Sequence, residues 1–328
     1  MNKTFINYYH INDNLSRIVI LKQKNIFFVF FVLIFSASMY QLAEFGSRDF
    51  DSYVKYFSCL SNDSCDVFWS VEPSAVIIAK IFEPILGAKA VVFLYILLAV
   101  SLKFLAFQRM RNFALVYFIY ALSFSVLFEI TQIRVAVAVG FCILSIQSYL
   151  ESRRLHAAFL FSCGVFFHIS SLTILALLMP TSLILIVLSV FIFFSEFLLD
   201  SFGALASLST DAYSFLRLSS FQAYLDSNLT STVINHKNLL SVLISIPIIF
   251  KWILPPHNII VTRACIVMWV TVLGIYGSSS GFFSRLSDIF LAITIVLVIG
   301  SMRKHLKFKI LMLGAAASSC VASLRLLT

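Results

Sequence analysis

Charge is what this chain has least of: 12% of its 328 residues are Asp, Glu, Lys or Arg, whereas 60% are apolar. That scarcity excludes an ordinary soluble domain and predicts an all-α polytopic membrane protein. Also missing are His/Cys clusters with metal-ligand spacing, a glycine-rich phosphate loop and a serine nucleophile elbow. Nothing in the sequence therefore asks for a metal, a nucleotide or a redox cofactor. There is no internal repeat and no low-complexity tract. Residues 1–25 carry Lys3, Asp13, Arg17, Lys22 and Lys24 but no hydrophobic run, so a first span retained as an anchor is expected rather than a cleaved signal. The formal charge of +9 then speaks of lipid and membrane orientation rather than of nucleic acid.

What is present is a succession of apolar segments, at about 26–43, 88–107, 112–130, 133–150, 157–180, 181–199, 238–254, 263–277, 286–301 and 310–327. They predict about ten transmembrane or half-spanning helices in a single integral membrane domain, 1–328. Two stretches are too polar for lipid, 44–72 and the Ser-, Thr- and Asn-rich 200–237. From Pro73 to Gly87 an amphipathic segment with Lys80 and Glu83 reads as a helix lying at the interface. The expected extracytoplasmic regions are thus 44–87 and 200–237.

Orientation follows from Lys and Arg. If 157–180 were one span, the tail from Arg303 to Lys309 would lie outside, against the positive-inside bias. If it dips in and returns near His168, the clusters Lys22/Lys24, Arg109/Arg111, Arg153/Arg154 and Arg303 to Lys309 all fall inside. The second topology is preferred. It requires a protein-lined or wet cavity around His168, because two half-length passes leave backbone groups to be satisfied. All of the 15 acids except Asp13 and Glu151 then lie outside or at outer span ends, together with Arg48, Arg134, Arg217 and Arg285.

Arg134 lies within the apolar stretch Phe124 to Leu150. Its guanidinium keeps its proton there at a cost of roughly 2.5–3.5 kcal/mol on insertion scales, which makes it a functional candidate. Its plainer readings are a structural pair with Glu129 or snorkelling to the interface. An outer cluster of guanidiniums suits an anion delivered from the membrane, such as a lipid-linked pyrophosphate. Arg285 also reads as an interface anchor, His168 as a satisfied core histidine, and Arg217 and Tyr224 as solvated loop residues. Of the six cysteines, Cys59 and Cys65 stand in the outer loop and can pair if the compartment is oxidising; two free thiols are the alternative.

The ordered set Arg48-Asp-Phe-Asp-Ser-Tyr53 with Tyr56, Glu72-Pro73, Gln132-Ile-Arg134-Val-Ala-Val-Ala138, Phe167-His-Ile-Ser170 and Arg285-Leu-Ser-Asp-Ile-Phe290 resembles the EpsG-like branch of the Wzy polysaccharide polymerases. The resemblance runs from about residue 26 to residue 301. Val135 and Ile289 stand where that family typically has Gln and Tyr, which leaves the local roles of those two positions open.

The resemblance implies an architecture like that of the lipid-dependent, GT-C-like glycosyltransferases, in the bacterial cytoplasmic membrane. It implies polymerisation of polyprenyl-pyrophosphate-linked oligosaccharide repeat units into O-antigen, capsule or exopolysaccharide, on the outer face. A flippase and a chain-length regulator are the expected protein partners, with membrane lipid around and no nucleic acid. In such a reaction Arg134 and Arg285, with Arg217 as a looser third, would hold the leaving pyrophosphate. His168, Asp51 and Glu72 are the candidates for orienting or deprotonating the acceptor hydroxyl, His168 first, because an imidazole titrates near neutral pH. Arg48, Tyr53, Gln132 and Tyr224 would contact substrate, with Trp69 as a further flat face for a sugar ring. Three other activities share parts of this pattern. An O-antigen ligase differs by its acceptor, a flippase by its paired repeats, and a membrane acyltransferase by a histidine near the cytoplasmic side.

Overall fold

In a computed structural model of the protein, the described residues are 28–62, 72–178, 258–277 and 281–301. Among them every element is helical. The helices are α1 (Phe28–Gly46), α2 (Arg48–Ser61), α3 (Pro73–Leu86), α4 (Ala88–Gln108), α5 (Phe113–Ser123), a π-helix (Val126–Thr131), α6 (Ile133–Leu150), α7 (Arg154–Phe167), a 3₁₀ helix (Ile169–Leu178), α8 (Asn258–Gly277) and α9 (Gly281–Ser301). Three of them, α1, α4 and α6, are long and apolar enough to cross a membrane. The apolar segments expected at 181–199, 238–254 and 310–327, and the loop 200–237, lie outside the described residues.

Side-chain contacts fix the directions of these helices. Lys89 at the start of α4 pairs with Glu44 at the end of α1 at 2.7 Å, and Phe28 at the other end of α1 meets Phe104 late in α4, so the two helices are antiparallel. The amide of Gln147 donates to the Ala106 carbonyl at 2.8 Å, and a Cβ on Gly140 would come within 2.8 Å of the Leu102 Cβ. Glycine at 140 therefore lets α4 and α6 run close together and parallel, a contact that favours dispersion where lipid offers no hydrophobic drive. Asn112 donates to the Ile299 carbonyl at 3.0 Å, so α9 ends level with the α4–α5 turn. Arg109, Arg111, Arg153 and Arg154, all exposed, gather at this end. The opposite end carries α2 and α3.

Within the polar stretch 44–72, read from sequence as loop, the chain builds α2. Ser47 caps it, its hydroxyl accepting the Asp49 N–H at 3.2 Å, and Asp49 and Asp51 in the first turn complement the helix dipole. Phe50, Tyr56, Phe57 and Leu60 are buried while Asp49, Asp51 and Lys55 are exposed. Such a two-faced helix has too little average hydropathy to be seen as a span. Gly87, at φ 82 and ψ 157, turns the chain from α3 directly into α4, in a region of backbone space open essentially to glycine alone.

The segment 157–180 breaks at His168, whose backbone is extended between α7 and the 3₁₀ helix. Before the break, a Cβ on Gly164 would lie 3.3 Å from the Cys142 Sγ. After it, Ser171 hydrogen-bonds the same Cys142 side chain. Two positions flanking His168 thus meet one residue of α6, so the chain reverses there. The returning 3₁₀ helix reaches Leu177, whose carbonyl accepts from Arg263 of α8 at 2.9 Å.

Candidate functional site

Glu72 stands at the N-cap of α3, with its carbonyl accepting the Ala75 N–H at 2.9 Å and Pro73 in the first helical position. Its side chain makes no capping bond, so the carboxylate is free to turn into the bundle, where Glu72 is 3% exposed. There Oε2 accepts from Nη1 of Arg134 at 2.8 Å, and Oε1 is hydrogen-bonded to Nδ1 of His168. Arg134 arrives from the first turn of α6 and His168 from the reversal after α7. One carboxylate buried at the end of a short helix therefore joins residues 62 and 96 positions away in sequence.

Two tyrosines of α2 wall the guanidinium. The Arg134 Cζ lies 5.0 Å from the centre of the Tyr56 ring and 5.9 Å from that of Tyr53, within reach of cation–π attraction. Nη1 also donates to the Tyr56 hydroxyl at 3.4 Å. The Tyr53 hydroxyl donates to the Thr131 carbonyl at 3.2 Å, tying α2 to the end of the π-helix. Two polar atoms beside this network are buried without a hydrogen-bond partner, the Nε of Arg134 and the Oε1 of Gln132. Each costs about 1–3 kcal/mol in that state.

The model of the EpsG family matches residues 24–325. The protein belongs to the EpsG family. It is accordingly a membrane protein of polysaccharide biosynthesis, in a family associated with Wzy-type polymerases. No curated protein and no solved structure matches it.

In this EpsG-family protein the structure brings together Glu72, Arg134 and His168, with Tyr53 and Gln132 beside them. Asp51 is not among them. It is exposed, roughly 140° around α2 from Tyr56, and its electrostatic neighbour is Lys89. Arg48 opens α2 at the same end of the bundle. Arg285 lies near the start of α9, about 21 Å along the helix from Ile299, and so at the Glu72 end. Arg217, Tyr224, Trp69 and Cys65 lie outside the described residues. Cys59 is disulfide-bonded, and among the described cysteines Cys142, Cys163 and Cys265 are free.

Glu129, weighed from sequence as a structural partner for Arg134, pairs elsewhere. Its carboxylate meets the ammonium of Lys103 and accepts from the Tyr120 hydroxyl at 3.3 and 3.4 Å. Sequence reasoning gave no role to Lys103, Tyr120 or the wall residue Tyr56. Lys103 could have been found, because an ionisable side chain inside the apolar run Ala88–Gln108 marks itself.

Proposed function

We propose that the protein polymerises polyprenyl-pyrophosphate-linked oligosaccharide repeat units by glycosyl transfer. The observation that carries this reading is the single cluster in which a buried Glu72 holds both Arg134 and His168 while those two side chains stay partly exposed. Because Nδ1 of His168 is bound to Glu72, the other ring nitrogen is the one able to accept a proton. Glu72, with both oxygens engaged, orients the imidazole rather than acting as the base itself.

In the proposed step the acceptor hydroxyl of the incoming unit attacks the anomeric carbon of the growing chain and passes its proton to Nε2 of His168. The bond from that carbon to the pyrophosphate oxygen breaks, and its electron pair leaves with polyprenyl pyrophosphate. Charge gathers on the leaving oxygens as the bond breaks, so the partly exposed guanidinium of Arg134 binds the transition state more strongly than the ground state. Arg134, Glu72 and a neutral His168 sum to zero charge, so attraction for a pyrophosphate requires further cations. Arg285 and Arg217 fill that role, with Arg48, Tyr53, Gln132 and Tyr224 contacting the sugars.

The cluster faces the exterior side of the bacterial cytoplasmic membrane in this reading. Support comes from the opposite end, where Arg109, Arg111, Arg153 and Arg154 lie, where Lys22 and Lys24 precede α1 and where Arg303 to Lys309 follow α9 in sequence. The region 44–87, with α2 and α3, and the loop 200–237 belong to the outer face, and the full chain forms about ten membrane-embedded helices. A flippase supplying the lipid-linked unit and a chain-length regulator are its partners.

The test is the surface polysaccharide of a deletion strain. Loss of the long-chain ladder down to a single repeat, restored by the wild type but not by an equally abundant Arg134→Lys variant, is the expected result. Loss of even the single repeat would indicate ligation or flipping. An unchanged ladder would sink the polymerase reading.

A further inference from the structure

The second buried charge cluster, Lys103 with Glu129 and Tyr120, lies outside the site described above, and Lys103 and Glu129 are each 1% exposed. A buried ion pair of this kind is weak evidence for stability, since well-packed apolar residues of the same volume commonly hold a core as well or better. Its best-attested use is to fix one register among several. The element it grips is the six-residue π-helix Val126–Thr131, a type of helix found mostly as short insertions near functional sites.

That π-helix follows a distorted turn at Phe124, φ −124 and ψ −17, and ends at Gln132, φ −130 and ψ 52. Backbone bonds cross both ends, the Phe128 N–H donating to the Phe124 carbonyl at 2.9 Å and the Gln132 N–H to the Phe128 carbonyl at 3.2 Å. Side chains add a second hold on its rotation. The Glu129 carboxylate is held by Lys103 from α4 and Tyr120 from α5, with the Lys103 ammonium 5.1 Å from the Tyr120 ring centre. On the far side, Tyr53 bonds the Thr131 carbonyl at 3.2 Å. The next residues in the chain are Gln132, whose Oε1 has no partner, and Arg134 in the first turn of α6.

We infer that Lys103, Glu129 and Tyr120 are positioning residues that pin the π-helix to α4 and so aim Gln132 and Arg134 at the reacting pyrophosphate. The inference rests on the polymerase reading for its effect on turnover, but the pinning itself is independent of it. A bundle free to convert this segment to α-helix would rotate Arg134 away from Glu72, and a displacement of about 1 Å at a reacting centre is worth roughly 10²-fold in rate.

The test replaces the pair by apolar residues of similar volume, Lys103→Met with Glu129→Leu, in the full-length protein in lipid nanodiscs. Amide hydrogen exchange of the peptide covering 124–134 is expected to rise about tenfold or more while other helices keep their protection. Turnover of a lipid-linked repeat unit is expected to fall about 10- to 100-fold with the donor KM changed less than threefold, a split that a merely loosened fold does not produce. Tyr120→Phe, which removes only the hydroxyl, should move both measurements the same way by a smaller factor and remains informative if the double variant does not insert. Unchanged exchange at 124–134 in either inserted variant overturns the pin. Faster exchange with wild-type turnover overturns the positioning role. A wild-type protein that exchanges as described but forms no polymer would overturn the polymerase reading and leave the pin standing.

Discussion

Glu72 and Glu129 are both carboxylates buried against a cation beneath tyrosine rings, yet only one of them has chemistry to spare. At Glu129 the partners are complete: the side chains of Lys103 and Glu129 are 2% and 1% exposed, and the carboxylate is closed in by Tyr120. At Glu72 the side chain is 4% exposed while its partners Arg134 and His168 remain 20% and 21% exposed, and the Arg134 Nε has no partner. A closed ion pair can only specify packing, because every bond a ligand could make is already made. An open one leaves part of the guanidinium and of the imidazole uncovered, which is where the proposed reaction would meet its substrate.

The contrast can be broken first at His168. His168→Gln keeps volume and a hydrogen bond to Glu72 but cannot take a proton, so turnover should fall by about 10²- to 10⁴-fold with lipid-linked donor still bound. Retention of wild-type turnover would remove the imidazole from the reaction and leave the cluster as packing. Next, Lys103→Met strands a buried carboxylate in the closed cluster. The expected loss is about 3–5 kcal/mol of stability, read as a lowered melting temperature in detergent and reduced yield. A variant as stable as the wild type would mean that Glu129 is not charged or not closed off from water. The smallest effect is expected at Asp51, which lies outside both clusters. Asp51→Asn should change turnover by no more than about twofold, within the scatter of exposed substitutions, and a larger loss would bring α2's exposed face into the site.

Much of this molecule is visible in its amino-acid order, for reasons that differ between elements. The span expected at 133–150 is α6, Ile133–Leu150, and that expected at 88–107 is α4, Ala88–Gln108, because a helix passing through lipid must be apolar along its whole length. The segment 112–130 was less legible. It divides into α5 and the π-helix, and hydropathy carries no record of helix pitch. Helix α2 escaped notice for the opposite reason, its buried Phe50, Tyr56 and Phe57 being averaged with exposed Asp49, Asp51 and Lys55.

The candidate site divides along the same line. Arg134 and His168 could be singled out one at a time, because a cation in hydrocarbon and a histidine between apolar halves each announce a local cost, whereas Glu72 came with the Glu72-Pro73 motif of the family resemblance. Their meeting could not. It depends on α3 ending its N-terminus against α6, on the reversal at His168 and on a carboxylate that declines to cap its own helix.

By itself, then, the sequence determined that the chain is a helical membrane protein, where its main apolar helices lie, and which ionisable residues stand inside them. Those properties follow from the cost of charge and of unpaired backbone in lipid, which each segment meets alone. Only the tertiary structure decided which cation Glu72 and Glu129 take, Arg134 with Glu72 and Lys103 with Glu129. Pairing is a property of distance between helices far apart in sequence, and no local pattern encodes it.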